Sequence, residues 1–76
     1  MMNEILEIYC YVKTVLKDIK AASAMSLSAI VDEVGKRFTE MEGELLRDEV
    51  ENSLYRLYFE YLIKRVVVNG EYRYYQ

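Results

Sequence analysis

Apolar residues recur along this chain at two periods, and those periods lay out its elements. Ile5, Ile8, Val12, Val15 or Leu16, and Ile19 follow each other three or four residues apart, which predicts an amphipathic helix from about Asn3 to Lys20. Asn3 stands where an N-cap is needed, Glu4 and Glu7 lie in the first turns, and Lys17 and Lys20 lie near the end. Both charge placements suit the helix dipole. Ala21 to Met25 reads as a short connection. Ser26 is placed to cap a second helix running to about Arg37, with Met25 and Ile30 spaced as a hydrophobic staple. That helix buries Leu27, Ile30, Val31 and Val34, and Phe38 closes it. Thr39-Glu40-Met41-Glu42 has the spacing of a capping box and marks a start for a third helix, although Gly43 interrupts the first turn. From Leu46 the stripe Leu46, Val50, Leu54, Leu57 and Tyr61 carries this helix to about Tyr61 or Leu62.

The period then changes. Arg65-Val66-Val67-Val68 is β-branched, Asn69-Gly70 follows, and Glu71-Tyr72-Arg73-Tyr74-Tyr75 is rich in aromatics. Asn-Gly between two such runs predicts a β-hairpin, because a type I′ turn needs positive φ at both central residues. Pairing across that turn sets Val67 beside Tyr72 and Arg65 beside Tyr74 on one face. Val66/Arg73 and Val68/Glu71 share the other. One face must cover the helices, since an isolated hairpin is barely stable. The expected fold is α+β, three helices followed by a C-terminal two-stranded antiparallel hairpin, in one domain over residues 1–76.

Size and charge sharpen this picture. A chain of 76 residues buries only about 60% of the surface its unfolded form exposes, so its core is thin. No apolar run approaches the roughly 18 residues that span a bilayer, and no basic region followed by an apolar stretch marks a signal peptide. Cys10 is the single cysteine, so no intrachain disulfide staples the core, and oligomerisation is the usual alternative. A lone thiol fits a cytoplasmic location. The absence of histidine removes the commonest metal ligand and the commonest general base. The net charge of −3 counts against nucleic-acid binding, which draws affinity from Lys and Arg.

The segment Val50, Leu54, Leu57, Tyr61-Leu62-Ile63 and Arg65, followed by the Asn-Gly hairpin and Tyr72-Arg73-Tyr74, resembles the C-terminal half of winged helix-turn-helix DNA-binding domains. Two leucines three residues apart near the end of the third helix, then a Leu-Ile pair entering the hairpin, match over about 25 residues. The chain looks like the short transcription regulators of this type found in archaea and viruses. The family places glycine where Tyr61 stands, and a tyrosine there predicts a third helix that runs straight through. The stretch from Phe38 to Arg47 is longer than the tight turn of a standard helix-turn-helix.

The resemblance implies a third helix laid in the major groove. With Leu54 inward, a 100° step puts Asp48, Asn52, Tyr55, Arg56 and Phe59 outside. Asn52 then reads adenine, Arg56 reads guanine or a phosphate, and Arg47 and Tyr55 join them. Residues 40–62 nevertheless hold seven acids against two bases, so the same face equally reads as solvated surface. Lys13, Lys17 and Lys20 form a row on the first helix; Lys13 and Lys17, with Lys36, Arg37 and Arg73, are the candidate phosphate contacts, or else plain solvated charge. Leu6, Tyr9, Tyr11, Phe59 and Leu62 exceed what three helices bury alone and are the candidate homodimer interface; the alternative is that the hairpin covers them.

No enzyme is expected. Asp32/Glu33 and Asp48/Glu49 are adjacent and diverge on a helix, the glycines at 35, 43 and 70 form no phosphate loop, and Cys10 within an apolar helix reads as a buried thiol. No cofactor, metal, membrane or small-molecule substrate is implied. The reading is a homodimeric DNA-binding regulator, with double-stranded DNA as partner. The alternative is a protein-interaction module on the same scaffold, whose acidic third helix binds no DNA.

Overall fold

The computed structural model describes the backbone of residues 2–76 and the side chains of residues 5–76. Helix α1 spans Met2–Val15 and is followed by a 3-10 turn at Ala21–Ser23 and a short strand β1, Met25–Ser26. Then come α2 (Leu27–Arg37), α3 (Gly43–Phe59), β2 (Lys64–Val68) and β3 (Glu71–Tyr75).

Helix α1 stops at Val15, short of the predicted Lys20. Leu16 still donates its N–H to the Val12 carbonyl at 3.2 Å, but Lys17 and Ile19 turn to tighter bonds with Thr14 and Leu16, each 3.1 Å. The Ile19 carbonyl is taken by the N–H of Gln76 at 2.9 Å, just past β3, so it is not part of a helical ladder. The apolar period outlasts the helix because Leu16 is buried and Ile19 packs on the core from the turn. Asn3 lies inside α1, and its side chain, expected as the cap, lies outside the described residues.

Ser26 caps α2 as the sequence predicts: its Oγ accepts the Ala29 N–H at 3.2 Å. Ser26 also belongs to a strand the sequence does not reveal. Met25 and Ser26 pair antiparallel with Tyr74 and Arg73, which makes β3 the central strand of the order β1-β3-β2. The expected two-stranded hairpin is therefore part of a three-stranded sheet.

Helix α3 begins at Gly43, with Glu42 as its N-cap; the carboxylate accepts the Leu45 N–H at 2.8 Å. Thr39 is not the cap, because residues 39 and 40 form a turn and half-buried Met41 packs on the core before the helix starts. At the other end α3 does not run through. Tyr61 takes φ 61°, its N–H bonds to the Tyr58 carbonyl at 3.1 Å, and the Leu62 N–H bonds back to Leu57 at 3.0 Å. These paired bonds around a left-handed residue are a Schellman motif, built here on a tyrosine in place of glycine. They turn the chain so that Ile63 enters the core and β2 begins at Lys64.

Asn69 and Gly70 have φ of 51° and 80°, as a type I′ turn requires. The register is the predicted one, with Val67 opposite Tyr72, Arg65 opposite Tyr74 and Val66 opposite Arg73. The core comprises Ile8, Val12 and Leu16 of α1 and its turn, Ile30 and Val34 of α2, Leu46, Val50, Leu54 and Leu57 of α3, and Ile63. Gly35 admits α2 close to α3, since a Cβ there would lie 3.3 Å from Leu46 Cδ2. The leucine stripe of α3 is thus covered by α1 and α2. The hairpin does not roof it: Val66, Val67, Val68 and Tyr72 stay exposed, and Tyr74 is the hairpin residue that packs on the core. The fold is α+β, three helices and a three-stranded antiparallel sheet.

Candidate functional site

Burying Leu46, Val50, Leu54 and Leu57 turns the opposite side of α3 to solvent. Leu45, Asp48, Asn52, Tyr55 and Phe59 are all exposed there. Tyr55 and Phe59, one turn apart, form an edge-to-face pair with ring centres 4.8 Å apart, and each remains 60% exposed. Glu44 and Glu51 are exposed on the same helix, as is Arg47. The face is therefore acidic around an apolar centre, with Asn52 as its amide.

Arg56 is not available to that face in the same way. It leans toward α1, where its guanidinium carbon lies 4.5 Å from the Tyr9 ring centre and its Nε lies 3.3 Å from Glu60. The Tyr9 hydroxyl donates to the same carboxylate. That hydrogen bond, chiefly, lowers the Glu60 pKa and raises that of Tyr9. The side chains of Tyr9, Arg56 and Glu60 form a small latch across α1 and α3.

The other expected phosphate contacts are spread over separate parts of the molecule. Lys13 is exposed on α1, but Lys17 lies in the turn after it and Lys20 precedes the 3-10 turn, so the three lysines do not share a helix row. Lys36 pairs with Glu33 at 2.8 Å, and this bond raises its pKa. Arg37 lies over Tyr11 and Phe38, at 5.3 and 5.9 Å from their ring centres. With Leu6, Cys10 and Thr14 it lines a groove of about 410 Å³ between α1 and α2. Arg73 sits between Val66 and Ser26 in the sheet, its Nη2 3.7 Å from Glu71 and its Nε buried without a hydrogen-bond partner among the described residues. The structure gathers Asn52 and Tyr55 with Phe59, and leaves Arg37, Arg56 and Arg73 elsewhere.

Of the expected interface residues, Leu6, Phe59 and Leu62 are exposed. Tyr9 turns toward α3 and Tyr11 toward α2, where its ring meets Phe38 edge-on at 6.2 Å, so these two do not share a face. Cys10 is exposed, contrary to the expected buried thiol. It lies two residues past Ile8, about 200° round the helix from that buried position.

One arrangement was not visible in the sequence. Beyond Phe59 the stacking continues: Phe59 meets Tyr58 at 5.7 Å, and the Arg65 guanidinium lies between Tyr58 and Tyr72, 3.9 and 4.0 Å from their ring centres. Tyr72 then stands 6.5 Å from Tyr74, whose pKa is raised by burial. A run of rings and one guanidinium thus leads from the middle of α3 onto the sheet. Beside it, at the open end of the hairpin, is a cleft of about 560 Å³ that includes Phe59, Tyr61, Lys64, Arg65 and Tyr75 in its lining. The alternation of Tyr72 and Tyr74 with Arg65 opposite was the only sequence signal pointing here.

Among the described residues no group of three carboxylate or cysteine side chains is placed to hold a metal ion. No helix among them is long and apolar enough to cross a membrane. Compared with known protein families, characterised proteins and solved structures, the chain matches none.

Proposed function

We propose that this chain is a non-catalytic winged helix-turn-helix domain that binds double-stranded DNA through α3, acting as a cytoplasmic regulator. The element order supports the family reading: a short strand before α2 pairs with the last strand, and the hairpin follows α3. The step from fold to function is analogy, so the surface must carry it. The single observation that does so is the outward face of α3, where Asn52 and Tyr55 stand clear of the core with Arg47 nearby in sequence. An asparagine on such a helix pairs with adenine edges, and tyrosine hydroxyls contact phosphates. Lys13, Lys17 and Lys36 supply further positive charge away from α3. Exposed Leu6 and Phe59 provide apolar surface for a symmetric dimer. A duplex titration across salt concentrations tests the reading: binding must be strongest at low ionic strength, and none there would end it.

A second reading is favoured by the Tyr55–Phe59 pair among Glu44, Asp48 and Glu51. An apolar centre with an acidic rim suits a basic protein surface. Replacing Asp48 and Glu51 by Asn and Gln separates the two: DNA binding tightens on the first reading, and partner binding weakens on the second.

A further inference from the structure

Tyr61 is the least protected aromatic of the chain. The residue is 93% exposed, yet its backbone holds the left-handed φ of 61° that glycine takes more easily. Burial does not repay that conformation. The turn itself is held by the Leu62–Leu57 bond and the burial of Ile63, which a glycine at this position would serve equally well, so the exposed ring is the part of Tyr61 that the fold does not use.

The ring borders the cleft at the open end of the hairpin, with Phe59 and Tyr75 as further rings and Lys64 and Arg65 as cations. Among the described residues no acidic side chain lines this cleft, although the chain as a whole carries a net charge of −3. Arg65 lies against the rings of Tyr58 and Tyr72, so the cleft is bordered on that side by a stacked cation. Lys64 is exposed and opposite Tyr75 in the strand pairing. Exposed rings beside cations are what single-stranded nucleic acid binds: bases stack on the rings, and phosphates meet the ammonium and guanidinium groups.

We infer that this cleft is a second binding site, one that takes an unpaired base and its phosphate from single-stranded DNA, with Tyr61 as the stacking platform and Lys64 as the phosphate contact. The site does not require α3 to enter a groove. It holds or fails apart from duplex binding.

The test uses the whole chain and a fluorescent twelve-residue oligothymidylate, followed by anisotropy at low ionic strength. Tyr61→Gly removes the ring and relaxes the backbone, so the variant folds at least as well as the parent and thermal unfolding verifies it. The expected result is binding of the oligomer, weakened about 5- to 150-fold in Tyr61→Gly, the range one lost base–aromatic stack gives. Lys64→Ala should weaken it too and flatten the salt dependence. An abasic oligomer of the same length should bind more weakly than oligothymidylate and show no difference between Tyr61→Gly and the parent. Asn52→Ala should leave oligothymidylate binding unchanged, which separates this site from α3. Absence of binding by the parent chain, or equal affinity in Tyr61→Gly, overturns the inference. So does a dimer in size exclusion that Tyr61→Gly converts to monomer, which would give the cleft to a second copy of the chain.

Discussion

The Arg65 guanidinium carbon lies 3.9 Å from the centre of the Tyr58 ring, and this contact ties the hairpin to α3. Tyr72 closes over the other side at 4.0 Å. Because Val66, Val67, Val68 and Tyr72 are left exposed, the sheet has little else of its own against α3 besides Tyr74 and the entry through Ile63. Half-buried cation–π contacts are worth about 1–2 kcal/mol. Arg65→Ala should therefore lower unfolding stability by about that amount in chemical denaturation, and Arg65→Lys should recover only part of it, because an ammonium does not stack as a plane. In a double-mutant cycle with Tyr58→Leu the two losses should fall short of adding. Strict additivity would mean the contact contributes nothing.

Tyr61 makes the opposite prediction. A left-handed conformation costs a non-glycine residue about 1–2 kcal/mol, while glycine loses about 0.5–1 kcal/mol in extra unfolded-chain freedom. Tyr61→Gly should accordingly raise the melting temperature by a few degrees, since about 1 kcal/mol shifts a domain of this size by roughly 4–8 °C. A lower melting temperature would show that the phenol makes a stabilising contact.

The core is small enough for one side chain to decide it. Leu54 and Leu57 are fully buried between α1, α2 and α3. Truncating either to alanine should cost about 2–5 kcal/mol, a large share of the roughly 5–15 kcal/mol that holds a typical domain together. Thermal unfolding followed by circular dichroism checks this, and an unmoved transition would refute the packing.

The Tyr9–Glu60 bond predicts a pH response with two edges. Glu60 has a lowered pKa in the fold, so its contribution is present above the unfolded carboxyl value of 4.5 and is lost as pH falls through the folded one. Tyr9 has a raised pKa, so its contribution is complete below 10.0 and is lost as pH rises through the folded value. Tyr9→Phe should flatten stability at both ends, measured as melting temperature against pH. A variant profile parallel to that of the parent chain would exclude the latch.

Much of this arrangement was legible because it is local. Ser26 and Ala29 are three residues apart, and Asn69-Gly70 dictates its own turn, so the α2 cap and the hairpin register follow from neighbouring residues. What escaped depends on partners far along the chain. Met25–Ser26 is too short to show alternation and becomes a strand only by meeting Arg73 and Tyr74. The end of α1 escaped because Ile19 keeps the helical spacing while its carbonyl serves Gln76. The steric penalty on Tyr61 is visible in its own residue type, whereas the Leu62–Leu57 bond and the burial of Ile63 that outweigh it are not. On α3, the step angle placed Asn52, Tyr55 and Phe59 correctly, and Glu60 lies one turn beyond Arg56, but the Tyr9 ring that Arg56 meets lies on α1, outside the reach of a helical wheel.

The proposal that α3 meets duplex DNA is tested most directly by mapping amide chemical shifts of the ¹⁵N-labelled chain as a short duplex is added at low ionic strength. The account predicts shifts concentrated on α3 around Arg47, Asp48, Asn52 and Tyr55, absent in Asn52→Ala and reversed by added salt. Shifts confined to other surfaces, or a spectrum that the duplex leaves unchanged, would contradict it.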